Sequence, residues 1–163
     1  MSRRFEPRWR IEPGAGRDLR IGIIGCGGIV TGAHLPAYQL AGLRVAAVYD
    51  IDQDKAQAVA AEFSIPVVAR SAEELAGRAD VDIVDIAVLP WIQPQIVSIV
   101  AAAGKHMLCQ KPLAMDYATG VAEVETAEAA GVLLAVNHQM RWDAGIAASR
   151  DLVAQGTLGT VTE

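Results

Sequence analysis

A glycine-rich segment between two apolar stretches constrains the fold of this chain more than any other feature. Residues 19–25 read LRIGIIG, and Gly27 and Gly28 follow after a single cysteine. A helix-like segment comes next, and a second apolar stretch ends at Asp50. Strand, glycine turn, helix and strand in this order are typical of the first half of a doubly wound α/β sheet.

The spacing of this segment predicts a dinucleotide-binding site. Gly25 permits the tight turn, and Gly27 lets the backbone approach a diphosphate at the N-terminus of a helix. Asp50 follows Gly25 by 25 positions, where an acid accepts hydrogen bonds from ribose hydroxyls. The alternative is a turn that serves only a tight strand–helix connection. Val30 stands where a third small residue is usual, so we expect it to push the first helix outward.

Composition sets limits on the class of protein. The 163 residues are 52% hydrophobic but only 5% aromatic, as expected for parallel strands covered by helices on both faces. The net charge is −5, and because the first 20 residues carry +3, the remainder carries −8. An acidic body argues against nucleic acid as the main partner. No apolar run approaches the length needed to span a bilayer, so we expect no membrane association.

The cysteines and histidines are scattered. Cys26 and Cys109 fit no metal-type cluster, and neither do the three histidines, so we predict no metal site. We interpret both cysteines as reduced thiols of a cytoplasmic protein. Cys26 is either a reactive thiol near a helix N-terminus or a small packing residue, and we favour packing. His34 either touches a ligand or lies on the surface of the first helix.

Apolar strands and amphipathic helices alternate along the chain from Leu19, which predicts an α/β Rossmann fold with a doubly wound parallel sheet flanked by helices. Residues 1–18 lack periodicity and are predicted to form a flexible arm. We place strands near 20–25, 43–49, 65–69, 81–88, 105–109 and 132–137, and helices near 29–41, 53–63, 72–77, 92–103, 116–130 and 144–155. The ligand is then expected at the carboxyl ends of the strands.

Lys111 is the second informative residue. It follows an apolar strand, on the predicted ligand side, in the sequence Cys109-Gln110-Lys111-Pro112. A lysine there can donate to a substrate hydroxyl or stabilise a developing alkoxide. An ordinary exposed lysine at a strand end is the alternative.

Several motifs occur in an order that resembles the Gfo/Idh/MocA family of glucose–fructose oxidoreductase and inositol dehydrogenase. They are GCGGI at 25–29, HLPA at 34–37, DID at 50–52, AGKHMLCQKPLA at 103–114 and GVLLAVNHQMRW at 131–142. The resemblance implies an NAD(P)-dependent oxidoreductase that acts on sugars, cyclitols or related polyols. It also implies a Rossmann domain at 19–143, followed by a connecting helix and first strand, 144–163, of an α+β substrate domain that is mostly absent here.

The resemblance also implies roles for individual residues. Gly25, Gly27, Gly28 and Ile29 would hold the diphosphate, and Asp50 would bind the ribose. Further contacts with the cofactor are implied for Val88, Leu89, Pro90, Gln110, Lys111, Arg141 and Trp142. Lys111 would also be catalytic, near the nicotinamide and the reacting carbon of the substrate.

Two departures from the family pattern affect these expectations. Gln110 replaces the glutamate of the family's Glu-Lys-Pro motif, so we expect Lys111 to be held less strongly. Gln93 stands where many members carry a histidine, and we favour an ordinary polar residue in the first helical turn. Neither change removes a cofactor contact. Both leave the handling of substrate open.

The acid at Asp50 also bears on the choice of cofactor. A carboxylate repels a 2′-phosphate, and residues 51–53 contain no base, so we predict NAD in preference to NADP.

No carboxylate–histidine pair is evident that could serve as the acid–base pair, which the family supplies from its second domain. We therefore expect a chain that binds NAD but is catalytically incomplete, with its sugar or polyol substrate held by the absent domain. A stand-alone NAD-binding regulatory or sensor module without turnover is the alternative. Strand edge and apolar surface left uncovered would favour a homo-oligomer.

Overall fold

The computed structural model describes residues 18–160 and 162. Within these, residues 18–137 form one compact unit and residues 138–160 belong to a second. The first unit therefore ends at Asn137, before the domain boundary predicted at 143. The predicted arm lies outside the described residues, apart from Asp18 in an exposed turn.

The first unit is built on a parallel sheet of five strands in the order β2-β1-β3-β4-β5. The strands are β1 (Arg20–Ile24), β2 (Arg44–Tyr49), β3 (Ile83–Ile86), β4 (His106–Gln110) and β5 (Leu134–Asn137). Strand order reverses at β1, which has β2 on one side and β3 on the other. The prediction of a doubly wound parallel sheet is confirmed, and its switch point lies between β1 and β3.

The strand predicted at 65–69 is wrong as an extended strand. Only Val68 forms a bridge, parallel to Val48 on the outer side of β2. Pro66 has no N–H to donate to a ladder, and Ser64 leaves the preceding helix with a φ of 57°. The segment therefore contacts the sheet edge at one point only.

The first helix differs from the regular helix predicted at 29–41. It opens with a π-helical turn, Val30–His34, in which Leu35 N–H donates to the Val30 carbonyl, and continues as α1 (Leu35–Ala41). Pro36 lies in the first turn of α1 and has no N–H for a regular bond to the preceding turn. Val30 is fully buried under this wider turn.

The other helices of this unit are α2 (Gln53–Phe63), α3 (Ala72–Ala76), α4 (Gln93–Ala102) and α5 (Tyr117–Ala129). Side-chain caps begin three of them, from Asp52, Ser71 and Asp116. Two apolar clusters cover the sheet. One contains side chains of α1 and α2, and the other contains side chains of α3, α4 and α5. Covering of both sheet faces explains why β1 and β3 are almost continuously apolar.

The second unit contains a 3₁₀ helix, Gln139–Trp142, and α6 (Ala144–Ala154). Asp143 caps α6 by accepting from the N–H groups of Gly145 and Ile146. The strand predicted after α6 does not begin within residues 156–160, which form a turn and a short irregular stretch, and residues 161 and 163 lie outside the described part of the chain.

Candidate dinucleotide site

The glycine turn lies at the switch point of the sheet. Gly25 has a φ of 97°, and its N–H donates to the Tyr49 carbonyl of β2 at 2.7 Å. A Cβ atom on Gly25 would run into the Ala87 carbonyl, directly after β3. Both the backbone conformation and the closeness of the two loops therefore require glycine here.

The next glycines leave open space above the turn. A Cβ atom added to Gly27 or Gly28 would meet no described heavy atom within 4 Å. The N–H groups of Val30 and Thr31 both bond to the Gly27 carbonyl, so the helix begins directly after these glycines. A helix N-terminus beside bare backbone is the arrangement that accepts a diphosphate, so the residues present fit a dinucleotide.

Asp50 is bonded to the glycine turn. Its carboxylate accepts from Cys26 N–H at 2.7 Å and from Asp52 N–H at 3.0 Å. Burial alone would raise the pKa of Asp50, but these hydrogen bonds and the charge of Lys55 together hold it below its usual value. The acid is therefore ionised at the carboxyl end of β2, next to the space over the glycines.

Lys55 is a charged neighbour that the sequence argument missed. It lies in the first turn of α2, and its Nζ is 3.4 Å from Asp50 Oδ2. Residues 51–53 carry no base, as predicted, but the helical turn brings this ammonium back to the carboxylate. The sequence did carry a signal for this contact, because Lys55 follows Asp50 by five positions and the helix cap Asp52 lies between them.

The thiol of Cys26 lies under the turn. Burial, followed by the charge of Asp50, raises its pKa to about 11. A thiol that stays protonated is a poor nucleophile, which supports the packing interpretation.

The segment Val88–Pro90 follows β3 at the same edge of the sheet as the glycine turn. Leu89 is exposed, and its carbonyl accepts from Ile92 N–H as the chain turns into α4. These residues thus lie at the carboxyl edge where the ligand was expected.

The Lys111 turn, residues 110–113, begins at the last residue of β4 at that edge. Lys111 is exposed, and its peptide bond with Pro112 is cis. The Gln110 side chain is buried, and the contact of Gln110 with the cofactor stays a prediction. Its Oε1 accepts from Lys111 N–H at 2.8 Å, so the amide that replaces a glutamate holds the lysine through its main chain.

Gln93 contacts the same turn from α4. It lies in the first helical turn, as expected, and it is fully buried there. Its Nε2 donates to the carbonyls of Pro112 and Leu113. The sequence offered no signal for this contact, because Gln93 and Pro112 belong to different elements.

A buried carboxylate–histidine pair, not foreseen from the sequence, lies beneath the Lys111 turn. His34 Nδ1 is 2.7 Å from Asp85 Oδ2, and the Tyr38 hydroxyl donates to the same oxygen at 2.8 Å. His34 is only 7% exposed, so the surface position, one of the two alternatives for it, is wrong, and both ring nitrogens have protein partners. The one sequence feature that could have indicated this pair was Asp85 itself, because it is an acid inside an otherwise apolar strand.

Arg141 and Trp142 lie in the second unit. Both are exposed in the 3₁₀ helix, and the Arg141 guanidinium lies 5.7 Å from the Trp142 ring centroid. Their contact with the nicotinamide stays a prediction.

The fold and the glycine turn define an NAD-binding Rossmann domain of an oxidoreductase. Residues 19–138 match the Gfo/Idh/MocA family, described as an oxidoreductase family with an NAD-binding Rossmann fold. The chain belongs to this family, as its motifs indicated.

Known proteins support this assignment. The chain is 34% identical over 140 residues to 1,5-anhydro-D-fructose reductase of Ensifer adhaerens, covering 86% of this chain and 42% of that protein. It is 34% identical over 147 residues to inositol 2-dehydrogenase 3 of Saccharopolyspora erythraea, with coverages of 87% and 42%. An oxidoreductase from Agrobacterium radiobacter, solved with NAD⁺, L-tartaric acid and magnesium, superposes with a TM-score of 0.82 at 29% identity, with coverages of 88% and 42%. The chain thus spans about two fifths of the length of these relatives.

Within the described residues, no helix combines the length and the apolar character that crossing a bilayer requires. The same residues contain no group of three or more His, Cys, Asp or Glu side chains arranged to hold a metal ion.

Proposed function

We propose that this chain is the cofactor-binding part of an oxidoreductase that transfers hydride between NAD and a hydroxyl of a sugar, cyclitol or related polyol. One observation carries the proposal: the Asp50 carboxylate is hydrogen-bonded to the turn whose next two glycines leave the backbone bare. Diphosphate and ribose sites are thereby joined in one rigid unit. The sugar and inositol relatives support the substrate class.

In this proposal each part of the site has one task. The backbone of Gly25, Gly27, Gly28 and Ile29 binds the diphosphate, and Val88–Pro90 lines the adjacent edge of the sheet. The nicotinamide, when bound, supplies the hydride acceptor. Lys111, exposed on a turn held from beneath, orients the substrate hydroxyl and stabilises negative charge on its oxygen. Arg141 and Trp142 are proposed to border the nicotinamide end.

NAD is proposed in preference to NADP because Asp50 is ionised and held at both oxygens. A 2′-phosphate placed beside it would meet a fixed negative charge. Lys55 offsets part of that charge, since its ammonium is 3.4 Å away. The charge of Lys55 is half-exposed and screened by solvent, however, whereas the carboxylate is mostly buried and held by backbone N–H groups, so repulsion dominates.

Calorimetric titration of the 163-residue chain with NAD and with NADP tests this choice. We expect NAD to bind at least about tenfold more tightly, which corresponds to about 1.4 kcal/mol. Asp50→Asn should lower the ratio of the NADP dissociation constant to the NAD dissociation constant, and Lys55→Met should raise this ratio. Asp54→Asn, a change at an exposed acid in the first turn of α2, is the matched control. Equal or tighter binding of NADP by the unaltered chain would contradict the preference.

We also propose that the chain by itself binds NAD without oxidising polyols. Its carboxylate–histidine pair is buried, and both ring nitrogens of His34 are already bonded, so this pair is unsuited to exchange a proton with a substrate. Turnover of any polyol by the isolated chain would contradict this. Exposed apolar side chains such as Met115 and Tyr117 support a homo-oligomer, and light scattering measures the oligomeric state. The two buried free thiols support a cytoplasmic location.

A further inference from the structure

A buried polar network connects the first helix to the Lys111 turn. Asp85 is 1% exposed in the middle of β3, and it accepts from both Tyr38 and His34. Burying a carboxylate is costly unless its partners are well placed.

The far side of the ring faces two side-chain amides. His34 Nε2 lies 3.2 Å from Gln110 Nε2 and 3.1 Å from Asn137 Nδ2. The orientation of the Gln110 amide is determined independently, because its Oε1 accepts from Lys111 N–H. The amide nitrogen of Gln110 therefore faces the ring, and an N–H donor needs a lone pair on His34 Nε2. The ring proton must then reside on Nδ1, where it is donated to Asp85.

The network thus has a direction. Asp85 selects the ring tautomer, the tautomer presents a lone pair to Gln110, and Gln110 holds the main chain of Lys111. We infer that His34 is a positioning residue for Lys111, acting through the Gln110 carboxamide. This inference rests on the proposed role of Lys111 beside the cofactor.

Gln93 limits the influence of His34 to the part of the turn around Lys111. It bonds the carbonyls of Pro112 and Leu113 from α4, so the distal half of the Lys111 turn is fixed to a helix. The proximal half depends on Gln110 alone among the side-chain contacts described for it. Loss of the His34 contact therefore loosens the turn at Lys111 rather than along its whole length.

Gln110 and this tautomer of His34 also require each other. A glutamate at 110, the residue of the family's Glu-Lys-Pro motif, would have no N–H to offer His34 Nε2 when ionised. The amide at 110 is therefore matched to a ring that presents a lone pair. The replacement first expected to weaken the hold on Lys111 becomes the means of that hold.

Two substitutions of His34 separate the two sides of the ring. In His34→Gln the side-chain oxygen reaches the place of Nε2, so Gln110 keeps an acceptor. In His34→Asn the amide reaches only the place of Nδ1, so Asp85 keeps a donor and Gln110 loses its partner. Tyr38→Phe is the matched control, because it removes a bond to Asp85 without contacting Gln110.

Two readouts follow these variants in the 163-residue chain: the backbone amide resonance of Lys111 without cofactor, and the affinities for NADH and ADP-ribose. We expect His34→Asn to shift the Lys111 resonance and weaken NADH binding about fivefold, the effect of one hydrogen bond. ADP-ribose lacks the nicotinamide, so its affinity should be unchanged. His34→Gln and Tyr38→Phe should keep both affinities within about twofold. In a Lys111→Ala background, His34→Asn should add no further loss.

The outcomes are distinguishable. Equal effects of His34→Asn and His34→Gln on both readouts, or an equal loss of ADP-ribose affinity, would reduce His34 to a packing residue and overturn the inference. If Lys111→Ala leaves NADH affinity unchanged, the proposed role of Lys111 fails, while the Lys111 resonance still decides the positioning. Should His34→Asn not fold, the ¹⁵N shifts of the unaltered His34 ring decide: an Nδ1–H tautomer supports the inference, and a proton on Nε2 overturns it.

Discussion

Glu123 provides a sharp test of how burial controls stability in this domain. It lies on α5 and is only 3% exposed. Neither of its carboxylate oxygens has a hydrogen-bond partner within the described residues. Burial raises the pKa of Glu123 from 4.5 to about 7, so the native state keeps this carboxyl protonated at pH values where an ordinary glutamate is ionised.

The sign of the effect follows from proton linkage. Between pH 4.5 and about 7 the unfolded chain releases the proton, while the native chain retains it. The free energy of unfolding therefore falls by about 1.4 kcal/mol for each pH unit across this interval. The full contribution is present below pH 4.5, and about 3 kcal/mol of it is lost above about pH 7.

Urea unfolding at pH 5 and pH 8 measures this contribution. Glu123→Gln removes the titrating proton but keeps the shape. From pH 5 to pH 8, the free energy of unfolding of the variant should therefore rise by about 2 to 3 kcal/mol relative to that of the unaltered chain. Glu125→Gln, on the exposed side of the same helix, is the matched control and should show no such gain. A difference between the Glu123 variant and the unaltered chain that stays constant with pH would refute the reasoning.

Three further changes test other parts of the structure. Gly25→Ala should lower the free energy of unfolding by about 2 kcal/mol or more, because its φ is 97° and a Cβ would strike the Ala87 carbonyl; an unchanged urea midpoint would count against this. Gln93→Leu should cost about 1 to 3 kcal/mol by leaving two loop carbonyls unpaired, as thermal unfolding will show. Arg20 holds the pKa of Asp82 far below its usual 3.8, so the pair stabilises fully above pH 3.8 and less as the pH falls. Asp82→Asn should therefore flatten the acid limb of the stability curve, and an unaltered limb would contradict the assignment.

Local patterns sufficed for much of the fold. The glycine turn and the acid that follows β2 were both predicted, because each depends on residues close in sequence. The strand expected at 65–69 failed, because an apolar run does not reveal how many ladder bonds a proline interrupts.

The candidate site likewise has one part formed by neighbouring chain segments and another part formed by residues distant in sequence. Its backbone part, the bare glycines and the acid hydrogen-bonded to the turn, could be predicted because a strand–turn–helix unit brings these groups together by itself. The polar support beneath Lys111 could not be predicted. Its hydrogen bonds join His34 to residues 51, 76 and 103 positions away.

The sequence alone therefore determined a parallel α/β sheet and the class of ligand, and it predicted the turn that we propose receives that ligand. Periodicity and glycine spacing act over a few residues, and they need no other part of the chain to take effect. Only the tertiary structure decided that Gln110 faces inward, that His34 is buried and that Lys55 returns to Asp50. Side-chain direction depends on which strands and helices meet, and that meeting is a property of the folded sheet rather than of any local segment.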